Sequence, residues 1–235
     1  MNDRWVFVTG VSRGIGKSIV EKMLQMGVKV VGLSRTRNVV AKKIENSGGI
    51  FLRFDLHSIK NIHNYDMEMF RRKGIDKFDS VILNAGVLKF DSDDEILGDM
   101  FKVNFLSNVY LVEKLLSNDL LKEGGIVVGI SSVSSYIDIE DADILKYSFS
   151  KYCFSGYLSY LRKKYFHKYR VVDIKPGLVD TNLVEGDVPD VILDRMFHKK
   201  PIESEVIANF VYDCIYNYVY IDGNVVIDDG YIYSK

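Results

Sequence analysis

The sequence predicts an α/β protein with a parallel sheet covered by helices on both faces, and three observations support that fold class. Short apolar runs alternate along the chain with longer segments of helical periodicity, the pattern of strand–helix–strand units. The first apolar run leads directly into a turn with glycines at positions 10, 14 and 16. A chain of 235 residues, 47% of them hydrophobic, can bury a core under both faces of such a sheet. We therefore expect a single doubly wound domain over residues 1–235.

Apolar runs bounded by glycine, proline or polar residues give the positions of the strands, which number about seven. They lie at 6–8, 28–33, 50–55, 80–83, 125–130, 169–175 and 225–228. Apolar residues spaced three and four apart predict one helix directly after the glycine turn and others at about 59–73, 94–117, 147–165 and 203–218. The segment at about 178–202 has no clear period, and we expect it to form a substrate lid.

The glycine-rich turn predicts a phosphate-binding site. A strand that turns sharply into a helix presents the free N–H groups and the positive dipole end of that helix. Glycines let the chain turn tightly and let a phosphate approach without a Cβ in the way. The spacing here is Thr-Gly-x-x-x-Gly-x-Gly from Thr9 to Gly16, not the common G-x-G-x-x-G fingerprint. The alternative is a glycine turn that binds no ligand.

The end of the second strand indicates which dinucleotide would bind. An acidic residue there suits the ribose 2′-OH of NAD, whereas arginine suits the 2′-phosphate of NADP. This strand ends at Ser34-Arg35, and Arg13 lies within the glycine turn. We expect NADP(H) to be preferred, with NAD(H) possible. In the alternative interpretation, both arginines are solvated surface charges.

Tyr147 and Lys151 are candidates for proton transfer, because residues four apart share one face of a helix. An ammonium beside a phenol should lower the pKa of that phenol from about 10 and make it a usable general acid or base. Ser132 ends a neighbouring strand at the edge where parallel sheets bind ligands. The alternative is a surface pair, since Tyr160 also precedes a lysine by four residues.

Three further segments carry polar or small residues beside the predicted pocket. Asn104 lies inside an apolar helical run, so it must be hydrogen-bonded, as a structural anchor or as part of a proton route. Asn84-Ala85-Gly86 follows the fourth strand, where small residues let the backbone pass close to a bound cofactor. Asp55 ends the third strand and is placed to contact an adenine.

In this order, the motifs resemble those of the short-chain dehydrogenase/reductase family over nearly the whole chain. They are Thr9-Gly10-x-x-x-Gly14-x-Gly16, Asp55, Asn84-Ala85-Gly86, Asn104, Ser132, Tyr147-x-x-x-Lys151 and Pro176-Gly177-x-x-x-Thr181. The resemblance implies a Rossmann-like fold and hydride transfer between a nicotinamide and a carbonyl or secondary alcohol. It implies cofactor contacts at Gly10, Ser12, Arg13, Gly14, Ile15, Gly16, Ser34, Arg35, Asp55, Leu56, Asn84, Ala85, Gly86, Tyr147, Lys151, Pro176, Gly177, Val179 and Thr181.

The same resemblance implies four catalytic roles. Tyr147 gives a proton to the carbonyl oxygen, and Lys151 lowers the pKa of Tyr147 and holds the nicotinamide ribose. Ser132 positions the carbonyl, and Asn104 holds a water in the proton relay. The alternative function is a catalytically silent protein of the same fold that senses NADP(H) or scaffolds a partner.

Two departures from the family pattern stand out. Leu83 replaces an asparagine that often precedes Asn-Ala-Gly, which should alter support of the strand rather than the chemistry. The interval from Ser132 to Tyr147 is about two residues longer than usual, and Ser134 would restore it. We prefer Ser132 because it lies at the strand end and because the acidic loop near 138–143 can absorb an insertion.

Composition narrows the partners. A net charge of −1 argues against nucleic acid, and the two cysteines and four histidines have no metal-ligand spacing, so no metal is expected. No apolar run of about 18 residues indicates a membrane span, and the first strand begins near the start of the chain, so we expect a cytoplasmic protein. The substrate stays open among a 3-oxoacyl thioester, a sugar-like ketone, a pteridine and a steroid.

The resemblance also implies a homodimer or homotetramer, formed through the helices at about 100–117 and 150–165. Small residues on the second of these helices would let another helix approach closely. They are Ser155, Gly156 and Ser159.

Overall fold

The computed structural model describes residues 3–89, 94–136, 142–181 and 193–231. The strands in these ranges are β1 (Trp5–Thr9), β2 (Lys29–Ser34), β3 (Ile50–Arg53), β4 (Phe78–Leu83), β5 (Leu121–Ile130), β6 (Arg170–Pro176) and β7 (Gly223–Ile227). They form one parallel sheet in the order β3-β2-β1-β4-β5-β6-β7. The predicted Rossmann-like α/β class is confirmed.

Helices cover both faces of the sheet. They are α1 (Gly14–Gln25), α2 (Val39–Asn46), α3 (Ile59–Asn64), α4 (Glu68–Arg72), α5 (Asp94–Phe101), α6 (Ser107–Ser117), α7 (Ala142–Lys164) and α8 (Ser204–Tyr216). Buried residues of α1, α2 and α8 form one core with one side of the strands. Those of α3, α4, α6 and α7 form the other core. Strands β1, β2 and β6 are buried over nearly their whole length, as expected for strands of a parallel sheet covered on both faces.

The strand order reverses beside β1. The chain runs outward from β1 to β3, then crosses to β4 and runs outward the other way. At such a switch point, the loops after neighbouring strands diverge and leave a crevice at the carboxyl edge of the sheet. The loops after β1, β4 and β5 all leave from this edge.

The helices differ from those predicted in four respects. Helix α2 was missed, although Asn38 caps it by accepting the N–H of Val40 at 3.0 Å. The expected helix at 59–73 is two helices, because Tyr65 adopts an extended conformation with ψ of 128°. A π-helical turn, Lys102–Leu106, separates α5 from α6. Helix α7 begins five residues before the predicted 147.

Parts of two predicted loops lie outside the described residues. These are 137–141 in the acidic loop and 182–192 in the lid. The two described ends of the lid lie side by side. The N–H of Ile202 donates to the carbonyl of Leu178 at 2.9 Å, and that of Asp180 donates to the carbonyl of Ile202 at 2.8 Å.

The small-residue prediction for α7 is wrong at Ser155. Its side chain is buried and donates to Asp173 at 2.6 Å, so it faces the sheet. Gly156 is exposed with open space where a Cβ would stand, and Ser159 is half-buried.

Candidate active site

The glycine turn follows β1 and requires its glycines. Gly10 and Gly14 have φ of 73° and 53°, the left-handed region that side chains rarely adopt. Gly16 is packed so closely that a methyl group there would overlap the carbonyl oxygen of Gly10. The N–H of Gly10 donates to the carbonyl of Leu33 at 2.8 Å, which fixes the turn against β2. The backbone therefore passes under α1 with no side chain in between.

The N-terminus of α1 faces this turn. It has no side-chain cap, and its first turn has no acidic residue. The first N–H groups of a helix lack intrahelical partners, so these donors suit an anion. Thr181 lies over the same turn, because a methyl group on Gly14 would lie 3.1 Å from its Cγ2. The structure thus brings together Gly14 and Thr181, which are far apart in the sequence.

Hydrogen bonds join the loops after β1 and β4. The Thr9 hydroxyl accepts the N–H groups of Asn84 and Ala85, both at 3.0 Å. The Asn84 amide donates back to the carbonyls of Thr9 and Gly10 at 3.0 and 3.2 Å. Asn84 therefore braces the glycine turn from the neighbouring strand.

The two predicted arginines, Arg13 in the glycine turn and Arg35 directly after β2, are exposed. Arg13 and Arg35 form no ion pair with any other residue that the structure describes. Arg37, in contrast, is held by both carboxylate oxygens of Glu45, at 2.8 and 2.6 Å. Ser34 is buried and donates to the carbonyl of Thr36. Two arginines at this rim thus keep their charges available to a ligand.

The loop after β3 carries Asp55 and Leu56. Asp55 is exposed and accepts the N–H of His57 at 3.0 Å, and Leu56 is buried. The His57 ring contacts Asp99 at 2.5 Å, and Lys89 donates to Asp99 at 3.1 Å. Hydrogen bonds from His57 and then Lys89 lower the pKa of Asp99 to about 2. The contact between His57 and Asp99 was not predicted from the sequence, because no local pattern relates residues 42 positions apart.

Ser132, Tyr147 and Lys151 lie together, buried, beyond the end of β5. The Ser132 hydroxyl is hydrogen-bonded to the Tyr147 hydroxyl and accepts the N–H of Ser134 at 3.1 Å. The Lys151 ammonium donates to the carbonyl of Ile130 at 2.9 Å. The contact with Tyr147 is therefore made by Ser132 and not by Ser134.

Burial sets the ionisation of this group. It raises the pKa of Tyr147 to about 12, although the hydrogen bond from Ser132 works in the other direction. The predicted lowering of this pKa by Lys151 is wrong for the structure, because loss of solvent outweighs a cation 5.7 Å from the ring centroid. Burial also lowers the pKa of Lys151 to about 8, opposed by Asp173 and reinforced by Lys175. At neutral pH the phenol keeps its proton.

Asn104 stands in the π-helical turn and is fully engaged. Its amide donates to the carbonyl of Val87 and to the Ser150 hydroxyl, both at 2.9 Å, and its Oδ1 accepts the N–H of Val87 at 2.7 Å. A methyl group on Gly86 would lie 3.3 Å from the Lys151 ammonium and 3.5 Å from Asn104 Oδ1. Asn104 thus anchors the loop beside Lys151, and its place in a proton route stays a prediction.

The end of β6 supplies the last predicted residues. Pro176 is buried, and the N–H of Gly177 donates to the carbonyl of Ile227 at 2.9 Å. Val179 forms an isolated bridge with Ile202. This path carries the chain from β6 to Thr181 over the glycine turn.

Sequence reasoning missed a buried polar cluster below Ser132. Asp173 and Lys175 alternate with apolar residues on β6, at 0% and 2% exposure of their side chains. Two charges inside an otherwise apolar strand were the available signal.

Among residues 3–89, 94–136, 142–181 and 193–231, no helix is long and apolar enough to cross a membrane. The same ranges hold no cluster of three or more acidic, histidine or cysteine side chains suited to a metal ion.

Comparison with known sequences identifies a matching family profile and several relatives of this chain. The family profile described as short chain dehydrogenase matches residues 4–191. A 3-oxoacyl-[acyl-carrier-protein] reductase of Buchnera aphidicola is 29% identical over 197 residues, 79% of this chain and 77% of the relative. An NADPH-dependent 3-dehydrocapnine reductase of Ornithobacterium rhinotracheale is 30% identical, covering 77% of this chain and 67% of the relative.

Solved structures share the fold at lower identity. A short chain dehydrogenase from Burkholderia cenocepacia in complex with NADP superposes with a TM-score of 0.87. It is 22% identical, and the match covers 97% of this chain and 98% of that one. The chain therefore has the same fold as this solved structure.

Proposed function

The chain belongs to the short-chain dehydrogenase/reductase family of oxidoreductases, and on that premise we propose that it is an NADP(H)-dependent enzyme that reduces a carbonyl or oxidises a secondary alcohol. The observation that carries this proposal is the buried hydrogen bond between Ser132 and Tyr147, with Lys151 one helical turn away. A phenol that holds its proton at neutral pH, oriented by a hydroxyl and backed by an ammonium, is suited to giving that proton to a carbonyl oxygen.

The residues present fit a nicotinamide dinucleotide. The uncapped start of α1, directly after the glycine turn, presents free N–H groups that would hold a pyrophosphate. Small residues at 84–86 lead toward Lys151, whose ammonium would hold the nicotinamide ribose. When bound, NADP(H) would supply or accept the hydride.

In the proposed reaction, each side chain has one task. Ser132 orients the substrate oxygen through its hydroxyl. Tyr147 moves a proton between its phenol oxygen and the substrate oxygen. The positive charge of Lys151 favours the phenolate that results, which matters more in a buried site than in water. Asn104 keeps the loop of Gly86 and Val87 in place beside Lys151.

The preference for NADP(H) rests on charge at the β2 rim. Arg13 and Arg35 are exposed cations without an ion pair among the described residues, and an arginine fork matches a phosphate. The NADPH-dependent relative of Ornithobacterium rhinotracheale supports the same preference. NAD(H) is the second candidate.

A 3-oxoacyl thioester is the first substrate class to try. The Buchnera relative is a 3-oxoacyl-[acyl-carrier-protein] reductase, and thioesters of this kind carry the carbonyl that the proposed reaction needs. The other substrate classes to test are a sugar-like ketone, a pteridine and a steroid.

The test is a titration of the protein with NADPH and with NADH, joined to turnover on acetoacetyl-CoA and the other three classes. Tyr147→Phe is compared with Tyr160→Phe, which alters an exposed tyrosine that also precedes a lysine by four residues. We expect turnover to fall by about 10²–10⁴-fold in Tyr147→Phe and to stay unchanged in Tyr160→Phe. Nucleotide affinity should be similar in all three proteins.

Each other outcome has a distinct meaning. Equal turnover in Tyr147→Phe and wild type would remove the proposed role of the phenol. Tight nucleotide binding with no turnover on any class would favour the silent sensor. Failure to bind either nucleotide would overturn the proposal from the glycine turn onward.

We also propose a homodimer or homotetramer formed through α6 and α7. Helix α7 exposes aromatic side chains, among them Phe149, Tyr152 and Tyr160, around the open space at Gly156. Light scattering at micromolar concentration should give a multiple of 26.9 kDa, and Tyr152→Glu should reduce it. A mass of 26.9 kDa for the wild type would contradict this assembly.

A further inference from the structure

A buried ion pair lies directly below the Ser132 turn. Asp173 and Lys175 both belong to β6, two residues apart, so their side chains point to the same face of the sheet. The Lys175 ammonium lies 2.9 Å from Asp173 Oδ2. Burial of two charges in a protein core is costly, so side chains at these positions call for a specific reason.

The polar atoms of this pair are bonded to serines. The Lys175 ammonium donates to the hydroxyls of Ser135 and Ser155, both at 2.6 Å, in addition to its ion pair with Asp173. Asp173 accepts hydrogen bonds from Ser131 and Ser155, one on each carboxylate oxygen. Both members of the ion pair are thus bonded to the serines around them.

These serines belong to the elements that carry the proposed catalytic residues. Ser131 immediately precedes Ser132, and the N–H of Ser135 donates to the carbonyl of Ser132 at 3.0 Å. Ser155 is one helical turn beyond Lys151 on α7. The ion pair on β6 thus binds the turn of Ser132 on both sides and joins it to the helix of Lys151.

Packing alone does not account for this arrangement. An apolar pair of similar volume would hold β6 to α7 at no desolvation cost, and such replacements are often neutral or stabilising. Directional hydrogen bonds do what apolar contacts do not, because they fix the rotation of a turn and the register of a helix to within tenths of an ångström.

Resting on the function proposed above, we propose that Asp173 and Lys175 are positioning residues, which hold Ser132 and Lys151 in their mutual geometry through Ser131, Ser135 and Ser155. They touch neither substrate nor cofactor in this role. Their opposite charges also balance each other beside Lys151.

The charges around Lys151 give a readout that a purely structural role would not move. Tyr147 faces Lys151 from its own helix, and Asp173 and Lys175 face it from β6; Gly86 and Asn104 approach from the other side and carry no charge. Asp173 raises the pKa of Lys151, and Lys175 lowers it. Removing one charge should therefore shift this pKa in one direction, and removing the other should reverse the sign.

The experiment compares Lys175→Met, Asp173→Asn and the double variant with the wild type. NMR of protein labelled with ¹³C at lysine Cε follows the titration of Lys151, whose resonance is assigned with Lys151→Arg. We expect the pKa of Lys151 to rise by about half a pH unit or more in Lys175→Met and to fall similarly in Asp173→Asn. In the double variant, which buries no unpaired charge, it should stay near the wild-type value.

Turnover gives the positional part of the test. In the double variant, kcat on whichever carbonyl the wild type reduces should fall by about tenfold or more, while the Kd for NADPH changes by less than about threefold. Lys122→Met is the matched control, because Lys122 pairs with Asp79 at 2.6 Å across strands away from this edge. It should leave kcat unchanged.

Each result decides something. Shifts of the same sign in the two single variants, or no shift in either, would overturn the charge balance. A folded double variant with wild-type kcat would overturn the positioning role. A wild type that reduces no carbonyl would sink the proposed function, whereas the Lys151 titration would still test the coupling to Asp173 and Lys175. If a single variant fails to fold, the double variant decides by kcat.

Discussion

The two halves of the candidate site are built from different materials. The half proposed to bind the phosphates consists of backbone, glycines and the exposed cations Arg13 and Arg35. The half proposed to carry out the chemistry consists of buried side chains, where Ser132 is bonded to Tyr147 and the Lys151 ammonium to a carbonyl. One half is open to solvent at its rim and the other is closed within the core.

This difference determines where amino-acid substitutions can be tolerated without loss of stability. An exposed arginine contributes little to the folded state, so cofactor preference can change there at little cost in stability. A buried polar group that loses its partner costs about 1–3 kcal/mol. The catalytic half therefore couples function to stability, and the rim of the phosphate half does not. The glycine turn is the exception in the phosphate half, because a substitution there should lower stability as well as nucleotide binding.

The largest effect is expected from Gly16→Ala. The added methyl group would overlap the carbonyl of Gly10 and approach the Asn84 amide, so the turn must move. We expect a loss of about 3 kcal/mol in the free energy of unfolding and loss of nucleotide binding. Urea denaturation and an NADPH titration measure the two effects.

The control for this change is Gly98→Ala, within α5. A methyl group there meets nothing within 4 Å, and the position is partly exposed. Alanine in a helix interior should stabilise the protein by about 0.5–1 kcal/mol. Similar losses from both substitutions would show that the glycine turn has no special packing.

The catalytic half predicts a pH dependence of stability through Lys151. Its folded pKa is lowered from 10.5 to about 8, so between these pH values the unfolded chain holds a proton that the folded chain has lost. The contribution of Lys151 to stability is therefore complete above pH 10.5 and is lost as the pH falls through about 8. The difference amounts to about 3 kcal/mol.

Subtraction isolates this contribution. The free energy of unfolding of wild type minus that of Lys151→Met should increase between pH 7 and pH 10 by about 2–3 kcal/mol. The window stops below the titration of Tyr147, whose raised pKa would act in the opposite direction. A flat difference across this range would mean that Lys151 is not desolvated.

The same contrast explains what the sequence could predict. The glycine turn and the Tyr147–Lys151 spacing are local patterns, and their geometry follows from a few neighbouring residues. The ion pair of Asp173 and Lys175 depends on serines some 20 to 40 positions away, which no local pattern brings together. Contacts of that kind arise only from the complete strand order.

The error over Tyr147 has the same origin. The spacing of Tyr147 and Lys151 along the helix could be predicted from the sequence, and the sign of a charge–phenol interaction follows from Coulomb attraction. The burial of Tyr147 could not be predicted, because it depends on which elements cover α7. Burial has the larger effect on the pKa of Tyr147. The choice between Ser132 and Ser134 likewise depended on the turn after β5, which the described structure resolves in favour of contact by Ser132.

The smallest effect is expected at the rim, from Arg35→Gln. A charge-assisted hydrogen bond to a phosphate contributes about 1.5–3 kcal/mol, so the Kd for NADPH should rise by about tenfold or more. The Kd for NADH should change by less than about twofold, because NADH has no 2′-phosphate. Stability should stay within about 0.5 kcal/mol of the wild type, since Arg35 is exposed.

Arg37→Gln is the matched control, because its guanidinium is already held by Glu45. It should leave the ratio of NADPH to NADH affinity unchanged. The contrast between the two arginines should also weaken as salt is added, since screening acts on an exposed cation and its phosphate. Equal losses of NADPH and NADH affinity in Arg35→Gln would mean that Arg35 supports the fold of the rim and not the 2′-phosphate. Cofactor binding at the rim would then depend on the local fold, as it is expected to do in the buried half of the site.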